Sequence, residues 1–347
     1  MKRYRSYILV LALLGASTFF RFTPEMSEWY SRNIYPFVSS FLVVLSKWIP
    51  FALSDVLYII LIAAALWFIV GVLFCRGKRV NSLHRLIFLG LWTYTIFQLF
   101  WGINYSRADF FERNRIERQQ PDTLFYKSFS EAYIRDMNEA FEQIGEDNTI
   151  DLQQEIQRQY FNLTKEVIIH SPKLYPNVKP MLFGRLFAGM GIQGYYGFIA
   201  CEPLINSYSY QWGIPFLYAH EMAHVMGITG EGEANFMAWL VCMKSENPTV
   251  RFSGYFSILH YMLSDAGRIV SNQFAKELWE MINPQIQLLK REEAAHYRSL
   301  YWDMAGELQG KVYNSFLKSQ GIRDGIANYS QVISYIVSYT AHKNERP

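Results

Sequence analysis

The chain contains 347 residues, of which 51% are hydrophobic, 17% are aromatic and 18% are charged. This length allows one large domain or two ordinary ones, and the small net charge of +3, without a basic stripe, argues against a nucleic-acid partner. The three cysteines form no CxxC pair, so no disulfide framework is predicted. Cys201 and Cys242 could form one disulfide or remain two buried thiols.

Three apolar segments in the first hundred residues could each span a bilayer, for which about 20 apolar residues are needed. The first, residues 7–20, follows a basic start and is short, so it is either an uncleaved anchor or a signal peptide. The later spans and the poor small-residue cleavage signal favour the anchor. The second segment, residues 56–74, is the most uniformly apolar, and the third covers residues 86–103.

The loops between these segments predict an orientation. Residues 35–53 are apolar but interrupted by Pro36, Lys47 and Pro50, so we expect them to lie at the membrane interface or to re-enter it. Basic residues cluster at the chain start and between the second and third spans, as is typical of cytoplasmic loops. The sequence thus predicts a transmembrane anchor over residues 1–103, with the lipid bilayer as partner, and an extracytoplasmic domain over residues 104–347.

From residue 104 onward the sequence is typical of a globular protein, and its apolar spacing predicts mostly helices. Residues 181–206 are rich in glycine and aromatic residues without helical periodicity, which favours strands and turns. The predicted fold class is a three-helix membrane anchor joined to a mainly helical α+β domain with a small sheet. Helices are predicted over residues 128–144, 151–169, 229–245, 252–269, 272–281, 285–308, 311–320 and 329–339.

The most informative motif is an HExxH sequence, which begins at His220 and ends at His224. Histidines four apart on a helix project from one face, so both can reach one Zn²⁺ ion, and Glu221 between them is placed to act as a general base. Pro215 suits the start of this helix and Gly227 its end. The motif therefore predicts a zinc hydrolase, in which a third protein ligand completes the metal site.

Two glutamates follow the motif and could supply the third ligand. Glu231 and Glu233 lie two residues apart, about 200° around a helix axis, so both cannot face the metal from one helix. Glu231 is favoured because Asn235 then lies one turn further along the same face. His224 and Gly227 also match an HxxG pattern, in which the third ligand would stand at position 230. Gly230 has no side chain to bind a metal, so this alternative is weak.

An HExxH motif followed by a glutamate four residues before an Asp or Asn resembles the gluzincin peptidases. The resemblance implies that His220, His224 and Glu231 bind zinc, and that Asn235 supports His220 by a hydrogen bond. The wider chain resembles a family of bacterial multi-pass inner-membrane proteins with a zincin-like domain. That likeness rests on residues 101–105, 194–196, 219–224, 231–236, 253–255, 316–319 and 324–325. Residues 197–202 depart from the Pro-Phe-Thr-Gly-Glu-like edge strand that this resemblance implies.

We expect a membrane-anchored zinc-dependent peptidase that hydrolyses peptide or protein substrates outside the cytoplasm. Glu221 would take a proton from the attacking water and deliver it to the leaving amine. Zincins also use a side-chain donor for the developing oxyanion; Tyr255 is the first candidate for this role and His260 the second. The alternative is a non-catalytic zinc-binding membrane sensor or scaffold. The substrate and the oligomeric state do not follow from the sequence.

Overall fold

The structure, a computed structural model, describes residues 2–119, 123–145, 150–170 and 172–344. It is mainly helical and contains one small sheet, as the sequence predicts. The chain divides into two compact units. Unit 1 contains residues 1–108, 172–182 and 196–204, and unit 2 contains residues 109–171, 183–195 and 205–347.

The N-terminal part of unit 1 consists of five helices, of which the first packs against the fifth and the fourth also packs against the fifth. Arg21 fixes one end of this group, because its guanidinium donates to the Ser106 hydroxyl at 3.1 Å and to the Gln98 side chain at 3.2 Å. The helices are α1 (Lys2–Phe20), α2 (Pro24–Asn33), α3 (Tyr35–Ser46), α4 (Leu53–Phe74) and α5 (Arg79–Phe100).

Among the described residues, α4 is the one helix that is by itself long and apolar enough to cross a membrane. Helices α1 and α2 meet the same criterion only as a pair, and the chain bends by 111° between them. Helix α3 is apolar but has only 12 residues. The predicted third span lies in α5, which begins at Arg79 and does not meet the criterion. The structure therefore supports association with a membrane but does not confirm a three-helix anchor.

The sheet has three short strands in the order β1-β3-β2, so β2 lies at an edge. These strands are β1 (Lys179–Pro180), β2 (Gly194–Gly197) and β3 (Glu202–Ile205). Between β1 and β2 the structure has a short helix, α9 (Gly184–Gly189), where the sequence predicted only strands and turns. The three cysteines lie among the described residues and are free thiols, with Cys201 and Cys242 buried.

A buried ion pair ties strands β1 and β3 to the start of α4 within unit 1. Glu202 is fully buried and accepts hydrogen bonds from Lys179 and from the backbone N–H groups of Leu53 and Ser54, the latter at 2.7 Å. These N–H groups belong to the first turn of α4, which has no side-chain cap of its own. A carboxylate at a helix N-terminus satisfies such groups and interacts favourably with the helix dipole.

Unit 2 contains the remaining helices, most of which have bounds close to the predicted ones; α13 has the predicted bounds. One prediction was wrong, because a break at Tyr301 and Trp302 separates α14 from α15 where the sequence favoured a helix over residues 285–308. The helices are α6 (Phe110–Asn114), α7 (Thr123–Glu142), α8 (Leu152–Leu163), α10 (Ile214–Val225), α11 (Glu231–Met243), α12 (Pro248–Ile269), α13 (Asn272–Met281), α14 (Pro284–Leu300), α15 (Asp303–Ser319) and α16 (Val332–Asn344).

The core of unit 2 places α10 and α11 at its centre. Helix α11 packs against α10, α12 and α16, and α10 also contacts α8 and α12. Both helices are buried along nearly their whole length, including their polar residues. Burial of a polar group is costly unless the group is hydrogen-bonded or binds a ligand. The buried polar residues of these two helices are therefore candidates for a binding site.

Candidate metal centre

The HExxH motif lies on α10, and the third predicted ligand is the first residue of α11. Pro215 stands in the first turn of α10, and Gly227 follows its end with φ = 76°, as the sequence predicted for a helix start and stop. The short connection brings Glu231 back beside His220 and His224. All three side chains are buried, and their ligand atoms lie within 4.8 Å of one another.

The distances within this cluster match those of a tetrahedral metal site. One carboxylate oxygen of Glu231, Oε2, lies 3.2 Å from Nε2 of His220 and 3.5 Å from Nε2 of His224. Metal–ligand distances of roughly 2.0–2.1 Å place two ligand atoms about 3.3 Å apart along a tetrahedron edge. Direct charge-assisted hydrogen bonds would be shorter, about 2.7–2.9 Å. The three residues fit a divalent metal ion of the kind that nitrogen and carboxylate ligands bind.

A backbone carbonyl fixes the orientation of one imidazole. Nδ1 of His224 lies 2.7 Å from the carbonyl oxygen of Ile228, so Nδ1 carries the proton that it donates there. The lone pair of the neutral ring is then on Nε2, the atom that faces Glu231. Hydrogen bonds to the outer nitrogen of a metal-binding histidine set its tautomer and orientation in this way.

The predicted support of His220 by Asn235 is not formed. Within the part of the chain that the structure describes, Nδ1 of His220 has no hydrogen-bond partner. Both residues are buried, with His220 on α10 and Asn235 one turn beyond Glu231 on α11. Helical spacing places Asn235 on the same face as Glu231, but it does not determine whether the amide reaches the ring.

Glu221 lies between the two histidines and is 3% exposed. Burial raises the pKa of its carboxyl group to about 7, against the opposing effect of the two histidines. Among the described residues no group hydrogen-bonds to its Oε2 atom. A carboxyl group with a pKa near neutrality and a free oxygen can accept and release protons at physiological pH.

The edge strand β2 begins against this carboxylate. A Cβ atom at Gly194 would lie 2.4 Å from Oε1 of Glu221, so a larger residue at this position would displace the Glu221 side chain. Within the segment 181–206, for which the sequence favoured strands and turns, the structure forms the edge strand β2 and the central strand β3, and the first residue of β2 lies beside the predicted base.

Glu233, the rival third ligand, has a different partner. Its carboxylate forms a buried salt bridge with Arg113 of α6. The histidine cluster includes Glu231, the glutamate that the position of Asn235 favoured, and not Glu233. The Arg113 partner is 120 residues away in the sequence and could not be inferred from local spacing.

Three tyrosines lie near Glu231, and none of them was predicted from the sequence as a site residue. The Tyr313 hydroxyl, on α15, donates to Oε1 of Glu231. Tyr329 contacts both Tyr313 and Glu231, and its ring lies nearly parallel to that of His220, with 9° between the planes and 6.4 Å between centroids. Burial, together with the nearby Glu231 charge, raises the pKa of Tyr261 to about 12. The pKa of Tyr329 is likewise raised by burial, so the hydroxyls of Tyr261 and Tyr329 remain protonated at neutral pH.

The two predicted oxyanion donors lie elsewhere. The Tyr255 hydroxyl is hydrogen-bonded to Asp136 of α7, and the Tyr255 carbonyl accepts from Tyr133. His260 is exposed and packs against the ring of Tyr261, with 3.7 Å between centroids. His260 does not belong to the cluster of metal-ligand atoms. Helix α12 packs against α7, and Tyr255 lies on the side of α12 that faces α7. This packing explains why its hydroxyl binds Asp136.

Comparison with known families identifies the chain at the family level. Residues 30–337 match the family described as "Protein of unknown function (DUF3810)", so the chain belongs to this family. Searches of curated proteins and of solved structures found no match to the chain.

Proposed function

We propose that this member of the DUF3810 family is a membrane-associated, zinc-dependent peptidase of the gluzincin kind. The observation that carries the proposal is the buried cluster of His220, His224 and Glu231, with Glu221 between the two histidines on α10. Three protein ligands are typical of a catalytic zinc site, because a fourth position stays open for water or substrate.

The donor set supports zinc as the metal. Two imidazole nitrogens and one carboxylate oxygen suit this ion, and the 3.2 and 3.5 Å separations agree with its tetrahedral geometry. A zinc ion held there would act as a Lewis acid, which lowers the pKa of water toward neutrality and polarises a substrate carbonyl.

Glu221 is the proposed general base and acid. Its Oε2 atom takes the proton of the attacking water and then delivers that proton to the nitrogen of the leaving amine. In the metal-free site, burial raises the pKa of this carboxyl group to about 7, which supports the role of a group that both accepts and donates a proton near neutral pH.

Tyr313 is the proposed donor to the oxyanion, in place of Tyr255. Its hydroxyl already reaches Oε1 of Glu231, so it lies at the edge of the space in which a substrate carbonyl would be attacked. A positioned hydroxyl can stabilise the negative charge that develops on the carbonyl oxygen in the transition state.

An extended peptide is the proposed substrate. Strand β2 is an edge strand whose first residue lies against Glu221, so a peptide added beside β2 would run past the proposed base. If three segments span the membrane as the sequence predicts, the basic clusters would put this site outside the cytoplasm.

The substitution Glu221→Gln, which replaces one carboxylate oxygen by an amide nitrogen, distinguishes a peptidase from a protein that only binds zinc. In the full-length protein purified in detergent, Glu221→Gln should retain the metal and lose hydrolysis of a fluorogenic peptide library. Hydrolysis by the wild type that persists in Glu221→Gln would contradict the mechanism. Metal binding without hydrolysis in either protein would favour the non-catalytic sensor or scaffold.

A further inference from the structure

The proposed active site is closed in this structure. Its four residues are between 3% and 7% exposed: Glu221 3%, Glu231 4%, His220 6% and His224 7%. A site that exchanges metal and admits a peptide needs access from solvent, so some element over the cluster has to move.

The covering element is the 3₁₀ turn Gly325–Gln331, called here the cover, which connects α15 to α16. It contributes Tyr329, whose ring lies over the ring of His220. The Tyr329 hydroxyl is hydrogen-bonded to Tyr313 and Glu231. The cover therefore stands between the metal ligands and the outside of unit 2.

One side chain of the cover attaches it to the ligand helix. Oδ1 of Asn328 accepts the backbone N–H of Gly232 at 2.9 Å. Helix α11 has Gly230 as its N-cap, which offers no side-chain hydrogen bond, so Asn328 supplies the missing cap from outside. The contact is close: a Cβ atom at position 232 would lie 2.4 Å from the carbonyl oxygen of Asn328.

Apart from Asn328 and Tyr329, the cover is held mainly by polar contacts at its two ends. The Ile326 N–H donates to the Asn314 side chain on α15 at 3.1 Å, and the Gln331 side chain donates to Asp324 at 2.6 Å. Ile326, Ala327 and Ser330 are exposed, and the Ser330 hydroxyl donates only to the carbonyl of Ala327 in the same turn. A segment with few buried apolar contacts opens at low cost in free energy compared with the helical core.

We propose that the cover is a lid over the metal site, closed in the present structure, which opens to admit the metal ion and an extended peptide. This inference rests on the proposed function, because it assumes that the cluster binds a metal. The Asn328 cap and the Tyr329 contacts hold the closed state. The closed form is then a latent form of the peptidase.

The test measures both rates of zinc exchange in the full-length protein in detergent. Zinc release into excess chelator and zinc uptake by the metal-free protein are followed for the wild type, Asn328→Ala and Ser330→Ala. Asn328 contacts no ligand side chain, and its loss removes one cap, whose typical effect corresponds to about a 5-fold increase in the ratio of open to closed molecules. We expect Asn328→Ala to accelerate release and uptake by the same factor of ~5, with an unchanged dissociation constant, and Ser330→Ala to behave as the wild type.

Each other outcome overturns the lid. Unchanged rates in Asn328→Ala, or equal acceleration in Ser330→Ala, would show that the cover does not limit access. Faster release without faster uptake would show that Asn328 acts on ligand geometry through α11. Absence of zinc binding by the folded wild type would instead contradict the proposed function itself, and the lid with it.

Discussion

Nδ1 of His224 donates to the carbonyl oxygen of Ile228 across 2.7 Å, within the turn that ends α10. The same imidazole therefore joins the two helices that carry the ligands, because Ile228 lies in the connection that leads to Glu231. The hydrogen bond places the neutral lone pair on Nε2. In the absence of metal, burial lowers the pKa of His224, but the Glu231 carboxylate outweighs burial and raises that pKa to about 9.

Zinc uptake should therefore release a proton. Below pH 9 the metal-free His224 holds a proton on Nε2, and zinc binds only the neutral ring, so the affinity should fall as the pH falls. We expect a decrease of about tenfold in apparent affinity per pH unit between pH 8.5 and pH 7. Calorimetry in two buffers of different ionisation enthalpy measures the proton directly, and a heat that does not depend on the buffer would contradict the prediction.

The two glutamates of α11 should respond to substitution in opposite ways. Glu231→Gln should lose the metal, because an amide is a much weaker ligand than a carboxylate. Glu233→Gln should keep the metal but lower the free energy of unfolding by about 3–5 kcal/mol, because the buried Arg113 loses its carboxylate. Metal analysis and thermal unfolding of the same samples check both effects. Loss of metal from Glu233→Gln in a folded protein would reverse the ligand assignment.

Tyr313→Phe and Tyr255→Phe form a matched pair of single-atom changes. Tyr313→Phe should lower kcat by about 10²–10³-fold at unchanged metal content, because the oxyanion loses its proposed donor. Tyr255→Phe should leave kcat unchanged, since its hydroxyl is bonded to Asp136. Equal kcat values for the two variants would remove Tyr313 from the mechanism.

The buried ion pair of unit 1 should stabilise the region around the start of α4. Glu202→Gln leaves the buried Lys179 charge without its carboxylate, which should cost about 3–5 kcal/mol. The double variant Lys179→Met, Glu202→Gln removes both charges and should recover part of that loss. Thermal unfolding in detergent measures both variants. A Glu202→Gln protein as stable as the wild type would show that Ser46 and water suffice as partners of Lys179.

The local part of the site could be predicted from the sequence. The spacing of His220 and His224 places both on one helix face, and the stop at Gly227 turns the chain. Helix geometry excludes two ligands at Glu231 and Glu233 together, and the position of Asn235 favoured Glu231. Each of these inferences uses residues fewer than fifteen positions apart. The helix bounds of α13 follow from local apolar spacing in the same way.

The contacts across the fold could not be predicted. Tyr313 lies 82 residues from Glu231 in the sequence, and no local pattern joins them. The two segments of family likeness, residues 316–319 and 324–325, lie between Tyr313 and Tyr329. The likeness therefore indicated the region of the chain but not these two residues. Tyr255 was chosen for its place in a motif, but packing of α12 against α7 directs its hydroxyl to Asp136.

The central claim is that a zinc site and Glu221 together hydrolyse peptide bonds. The most direct test measures metal content and hydrolysis of a peptide library on the same full-length preparations of wild type, Glu221→Gln and the exposed control Glu280→Gln. The account predicts about one zinc per chain in all three, with hydrolysis reduced at least ~10²-fold in Glu221→Gln alone. Folded wild-type protein without zinc, or hydrolysis undiminished in Glu221→Gln, would contradict it.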